Sequence, residues 1–357
     1  MSAAKAAVWI AIGLVAAWTN PSQANASECK LSQLGSVSVS LDPAGAVLVP
    51  VALNGRPTVM HLRLESPYSA VYEGVAESIN LKTDSWPGLL SGYVYRDDKG
   101  GALKRQVDIP TMSIGELKIT KSTFWVASRP DKDSATRGDT GSNSAGFLGI
   151  NMFSHVDLEL DLANRILAFY SQDHCPGRVV YWSDDYEKVP LHTGELTSDL
   201  YFDALLNGKK VESWLNTSSR ANDFSGEFAR QIFGLDEHSA GVTSELGPDG
   251  KPRLYTSTMS LGIEGLAVNN AHLWLTIGGC TEMTMVHGSI GYGCGIHGVH
   301  PMTLGTSILE RLHLYLATKE KKMYVTAATS RAVDSGAQPA QNGHPPEEQD
   351  DLQRLSY

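Results

Sequence analysis

Apolar and polar positions alternate most clearly in two pairs of segments. Val156-Asp157-Leu158-Glu159-Leu160 is followed by Ile166-Leu167-Ala168-Phe169-Tyr170, and Leu312-His313-Leu314-Tyr315-Leu316 by Lys322-Met323-Tyr324-Val325. Period-two alternation predicts half-buried strands, and each pair reads as closing one half of the chain. A longer pattern precedes each pair and occurs twice. Leu53-Asn54-Gly55-Arg56-Pro57-Thr58-Val59-Met60-His61-Leu62-Arg63 leads to a short amphipathic segment at 75–81. Leu206-Asn207-Gly208-Lys209-Lys210-Val211-Glu212-Ser213-Trp214-Leu215-Asn216 leads to another at 228–235. Both predict strand, Asn-Gly hairpin turn, strand, polar loop and short helix, because Asn-Gly accepts positive φ at both central positions. The repeat continues: Met112-Ser113-Ile114-Gly115 answers Met259-Ser260-Leu261-Gly262, and Phe124-Trp125-Val126 answers Leu273-Trp274-Leu275. Leu148-Gly149-Ile150-Asn151-Met152-Phe153 answers Leu304-Gly305-Thr306-Ser307-Ile308-Leu309. An internal repeat on this scale predicts two similar, mostly β lobes, at 44–172 and 191–328, with an N-terminal segment at 27–43 and a linker at 173–190.

Between the first helix and its following strand, residues 85–106 read as a long hairpin with Tyr93 and Tyr95 on one arm, either a flap over a cleft or a surface hairpin. The stretch 129–144 is polar and rich in Gly, Ser and Asp, as a loop should be. Residues 329–357 carry only Val333, Leu352 and Leu355 as aliphatic side chains larger than alanine, so a disordered tail is expected there.

The N-terminus changes the compartment. Lys5, a thirteen-residue apolar run from Ala6 to Trp18 and Ala24-Asn25-Ala26 make residues 1–26 a secretory signal peptide. The run is short for a membrane span, so the mature chain is expected to be exported, periplasmic or secreted, without a stable membrane span. The formal net charge is −10 over 357 residues, and −11 once Lys5 is removed. With no Lys/Arg cluster interleaved with aromatics, nucleic acid is excluded as a partner. Cys29, Cys175, Cys280 and Cys294 favour disulfides in an oxidising compartment. Cys29 with Cys175 would tie the ends of the first lobe, and Cys280 with Cys294 would close a loop in the second. The mixed set Cys280, His287, Cys294, His297 and His300 fits no common zinc spacing, so no metal or cofactor is assigned. His287-Gly288-Ser289-Ile290-Gly291 departs from the nucleophile-elbow pattern at its first position and lacks the strand–turn–helix setting that pattern needs.

The two-fold pattern of hairpin, polar loop, helix and hydrophobic-Gly turn resembles the two-lobed retropepsin-like and pepsin-like aspartic protease superfamily. The resemblance covers roughly residues 44–328. It implies a mostly β fold of two barrel-like lobes with short helices and a cleft between them. It also implies an Asp-Thr/Ser-Gly triplet at the end of the second strand of each repeat. Eight residues beyond Gly55 and Gly208 lie Arg63 and Asn216, and the family's helix motif follows at Leu81 and at Gly234-Leu235. The triplet positions therefore hold Arg63-Leu64-Glu65 and Asn216-Thr217-Ser218, both without aspartate. Asp139-Thr140-Gly141 spells the triplet but sits in a loop-like context.

In that family two carboxylates share one proton and activate a water. Asn216 keeps a hydrogen bond but cannot take a proton, and Arg63 stays charged and accepts nothing. A two-residue shift would put Glu65 opposite Asn216, still a single carboxylate. Arg63 in the cleft would pair with Glu65 or with a ligand carboxylate. Three readings follow: an inactive protein that takes a peptide or protein partner in the cleft, an active peptidase with an atypical site, or a structural protein with a filled cleft. The sequence assigns no oligomeric state.

Overall fold

The computed structural model describes residues 30–85, 103–128, 144–194, 199–247, 252–268, 271–276 and 300–329, and the backbone of 283–286, 289–292 and 352–354. The fold is mostly β. Its described helices are short: Glu73–Ser78, Gly226–Phe233, Thr306–Leu309 and the 3-10 turn Ile150–Phe153.

The first lobe is built on the hairpin Val47–Leu53/Arg56–Arg63. Asn54 (φ 49°) and Gly55 (φ 77°) take the left-handed conformations that the Asn-Gly turn predicts. Arg56–Arg63 runs parallel to Gly146–Gly149, which pairs with Ala70–Tyr72, itself parallel to Leu117–Ala127. Arg105–Ile114 pairs with Leu117–Ala127 and with Val47–Leu53, so six strands close into a barrel. Alternate side chains fill it, among them Val49, Met60, Leu62, Ile109, Phe124 and Leu148, none above 2% exposed.

The second lobe repeats this order. Leu200–Leu206 and Lys209–Leu215 form the hairpin, with Asn207 (φ 48°) and Gly208 (φ 76°) at its turn. Lys209–Leu215 is parallel to Met302–Leu304, and Asn222–Ser225 is parallel to Leu273–Thr276. The counterpart of the long strand Arg105–Ile114 is interrupted here, as Pro252–Thr256 and Leu261–Ile263.

One equivalence differs from the match of letters. Met112 pairs with Leu53, and Leu261 with Leu206. Met112 therefore answers Leu261, and the aligned Met-Ser-Ile-Gly and Met-Ser-Leu-Gly are offset by two residues. Because strand side chains alternate with period two, a two-residue shift leaves the inside–outside pattern intact.

The alternating strand pairs do not close separate halves. Val156–Asp161 pairs with Leu312–Ala317, joining both hairpins in one six-stranded sheet. Gln33–Ser38 lies at one edge of that sheet, against Ile166–Ser171, and Glu187–Pro190 at the other, against Lys322–Ala327. Residues of the segment between the lobes cover one face: Val179 is fully buried and Trp182 stacks on His313 at 3.8 Å. Beneath them, buried Glu159 accepts hydrogen bonds from Tyr170 (2.6 Å) and Tyr181 (2.9 Å) and pairs with His313 Nε2 (2.8 Å).

No helix among the described residues is long and apolar enough to cross a membrane, which says nothing of a β-barrel. The 1–26 segment, Cys29, Cys280 and Cys294 lie outside the described residues. Cys175 is disulfide-bonded. Of the 329–357 tail, expected to lack structure, Leu352–Arg354 forms a strand against Leu266–Val268; everything past Thr329 apart from that strand lies outside the described residues.

Candidate functional site

The two hairpins deliver two loops to equivalent places. Arg63 ends the second strand of the first hairpin, opposite Gly149, and Asn216 follows the second strand of the other, its N–H donating to Leu304 O at 2.8 Å. A matching polar contact supports each loop from behind. Gly149 N–H donates to Ser69 Oγ (2.8 Å), which donates to Asn151 Oδ1 (2.9 Å). Gly305 N–H donates to Asn222 Oδ1 (2.8 Å), whose Nδ2 donates to Ser307 Oγ (3.0 Å). The same serine–asparagine pair recurs with the two partners exchanged.

The loops meet through Thr217, which is fully buried. Its Oγ1 accepts from Leu64 N–H (3.0 Å) and donates to Leu62 O (2.7 Å), both in the opposite lobe. Leu64, at the position equivalent to Thr217, has no hydroxyl to return this contact. Glu65 takes over: its Oε2 accepts from Thr217 N–H (3.2 Å), and its Oε1 lies 2.6 Å from Ser218 Oγ. Ser218 Oγ is also 2.9 Å from Asn216 Oδ1, which accepts from Ser218 N–H at 3.0 Å.

A serine hydroxyl carries one proton, yet here it faces two oxygens. Its proton is therefore shared between Glu65 Oε1 and Asn216 Oδ1. Burial raises the Glu65 carboxyl above its ordinary value, opposed by the Ser218 hydrogen bond and the Arg63 charge. Arg63 itself is buried, its guanidinium 4.4 Å from the centre of the Phe147 ring. Phe147 meets Tyr68 edge-on at 5.5 Å.

A raised carboxyl gives stability that is complete below the unfolded-chain value, about 4.3, and is lost as pH climbs through the folded value. Urea unfolding of the native chain beside Glu65→Gln should therefore show the native advantage shrinking as pH rises above about 4.3. Gln keeps a donor for Ser218 but does not titrate. A difference between the two chains that stays constant over that range would rule out a titrating Glu65.

Of the residues predicted from sequence, Arg63, Leu64, Glu65, Asn216, Thr217 and Ser218 belong to this junction. Tyr93 and Tyr95 lie outside the described residues, although Thr83–Ser85 and Arg105–Val107 enter that segment as an antiparallel pair. Asp139, His287 and His297 also lie outside them. Met283–Val286 and Ser289–Tyr292 form an antiparallel hairpin, not the strand–turn–helix of a nucleophile elbow. Sequence reasoning missed Phe147 and the exchanged pairs Ser69–Asn151 and Asn222–Ser307. The repeated Leu-Gly turns already bracketed Asn151 and Ser307, and comparing those two positions would have found them. Among the described residues no group of three His, Cys, Asp or Glu is placed to hold a metal ion.

No protein-family model matches this chain, and no curated protein matches it. In structure it is similar to conglutin gamma, a basic 7S globulin from lupine seeds, with 13% identity, 83% of this chain and 95% of that chain covered, and a TM-score of 0.44. It is also similar to the basic 7S globulin from soybean, with 12% identity, 84% and 96% covered, and a TM-score of 0.46.

Proposed function

We propose that this chain is an exported, aspartic-protease-like protein without peptidase activity that binds a peptide or protein partner between its lobes. The observation that carries the reading is the state of the two symmetry-related loop positions. Where the superfamily places two facing aspartates, this chain has Arg63 laid on Phe147 and Asn216 turned to Ser218. The carboxylate at the junction, Glu65, is held by Ser218 and Thr217. A single carboxyl cannot act as base towards water while a second donates to the scissile carbonyl. The arginine beside it has no lone pair to offer. Extended peptides bind to such folds through main-chain hydrogen bonds along strand edges, which needs no acid–base pair.

Purified mature protein should leave a diverse peptide library uncut between about pH 2 and 7, where a dyad would hold its shared proton. Arg63→Asp and Asn216→Asp should each remain inactive, since each supplies one symmetry-related carboxylate. Acid-pH cleavage by the unmodified protein, abolished by Glu65→Gln, would overturn the assignment in favour of an atypical peptidase.

A further inference from the structure

The facing loops hold a second pairing that the Thr217 hydroxyl does not use. Ser218 Oγ lies 2.6 Å from Glu65 Oε1, within reach for passing its proton to that carboxylate. Glu65 is itself held by Thr217 N–H at 3.2 Å. A hydroxyl, a carboxylate within proton-transfer reach and a group that orients the carboxylate are the parts of an activated nucleophile. Contact with a carboxylate is not enough by itself. Ser239 donates to Asp236 Oδ1 at 2.8 Å, but the two lie three residues apart in an exposed turn. Ser218 and Glu65 are 153 residues apart in sequence, and each comes from a different lobe.

The surroundings favour attack by Ser218. Both oxygens that its hydroxyl meets, Glu65 Oε1 and Asn216 Oδ1 (2.9 Å), are acceptors. No hydrogen bond among the described residues therefore ties up its lone pairs. Ser218 N–H donates to Asn216 Oδ1 at 3.0 Å and fixes that amide. Asn216 Nδ2, on the same carbon as Oδ1, makes no hydrogen bond among the described residues and leaves two donors beside Ser218. Such donors stabilise the charge that develops on a carbonyl oxygen under attack. Ser218, Asn216 and Glu65 each keep part of their surface exposed, whereas Thr217 and Leu64 are buried. Burial raises the Glu65 carboxyl, which makes its carboxylate a stronger base than an exposed one.

We propose that Ser218 and Glu65 form a nucleophile–base pair that hydrolyses esters through an acyl-serine, with Asn216 Nδ2 holding the oxyanion. Ser218 Oγ bonds to the carbonyl carbon, its proton passes to Glu65 Oε1, and the carbonyl π pair moves onto oxygen. That pair then returns, the bond to the leaving oxygen breaks, and the leaving alcohol takes the proton from Glu65. Water next gives a proton to Glu65, its oxygen attacks the acyl carbon, and Ser218 Oγ leaves with that proton. The sum is ester and water to acid and alcohol. A carboxylate is a weaker base than the imidazole of a serine–histidine pair, so Ser218 is only modestly activated. Esters are within its reach, because their carbonyls are more electrophilic and their oxygens leave more readily than a peptide nitrogen. The activity goes beyond the peptide-binding reading and leaves the chain inactive on peptides.

The test incubates purified mature protein with p-nitrophenyl acetate and maps the acetyl group in an acid-quenched sample by peptide mass spectrometry. The acetyl group should sit on Ser218, and diisopropyl fluorophosphate, which traps activated serines, should label the same residue. Ser218→Ala should remove both labels and the catalysed rate. Glu65→Gln should lower kcat/KM about a hundredfold or more, the scale of a general base. The wild-type rate should step up with pH through a half-point above about 4.3, as the raised carboxyl ionises, and Glu65→Gln should lack that step. A merely structural hydrogen bond would give neither the label nor the step. Unchanged circular dichroism and Tm for both variants show that they fold, and the wild-type labels need no variant. Label on another residue, no label at all, or hydrolysis that survives Ser218→Ala would overturn the proposal. Peptide binding by a chain that takes no label would sink this proposal and leave the proposed function standing. Peptide cleavage by a chain labelled at Ser218 would do the reverse.

Discussion

Replacing Gly305 by alanine should destabilise the protein by about 3 kcal/mol or more, enough to strip most soluble protein from an expression culture, and Gly149→Ala should do the same in the first lobe. Neither glycine is there for backbone freedom. Gly149 (φ −86°, ψ 172°) and Gly305 (φ −79°, ψ 177°) are extended, a conformation any residue adopts. Space is what they lack. A Cβ on Gly305 would sit 2.1 Å from Ala221 O, and one on Gly149 2.1 Å from Tyr68 O. Both obstacles are backbone, so neither can swing away as a side-chain end would. Gly208→Ala provides the contrast: its Cβ would meet nothing within 4 Å, but its φ is +76°. The cost there is the left-handed conformation alone, about 1–2 kcal/mol. Chemical denaturation of the three variants should rank Gly208→Ala as the mildest. Wild-type stability for Gly305→Ala would mean that the loops do not pass each other as described.

Thr217→Val should cost about 2–4 kcal/mol in urea unfolding, and Thr217→Ser should recover most of it. Valine matches threonine in shape, so the packing around the fully buried side chain is kept. What it removes is the hydroxyl that serves Leu64 N–H and Leu62 O together. Both groups belong to buried residues of the other lobe, and each would be left with a desolvation penalty. Serine restores the oxygen without the methyl. Val and Ser variants of equal stability would show that the hydroxyl does not clamp the lobes. The clamp is one-sided because Leu64 replaces its counterpart, so Leu64→Thr is not expected to add a second clamp while Glu65 already occupies Thr217 N–H.

Much of this architecture is written in local chemistry. The Asn-Gly turns name themselves, because few dipeptides tolerate positive φ at both positions. The two hairpins, both short helices and the Leu-Gly turns follow from those anchors. Counting eight residues on from each turn glycine placed Arg63 and Asn216, and with them the junction. The helices begin two residues ahead of the apolar segments that announced them, at Glu73 and Gly226, since helix ends are set by backbone geometry rather than by the apolar face.

Other features were decided only by the assembled chain. Alternation in Val156–Asp161 and Leu312–Ala317 predicted strands, but could not say that they pair with each other across the lobes. Which strand edge meets which depends on contacts between residues over 150 positions apart. The same alternation marked Asp157 and Glu159 as outward-facing, and they are, yet both are buried because the chain between the lobes returns over that face. A two-residue offset hid the true partner of Met112, since period two cannot distinguish it. Sequence alone placed Arg63 and Asn216 at matching positions beyond the two turns. Only tertiary structure turned Glu65 across to Ser218 and Thr217 and laid Arg63 on Phe147. Those contacts join strands distant in sequence, and a local pattern holds no information about which distant strand lies beside it.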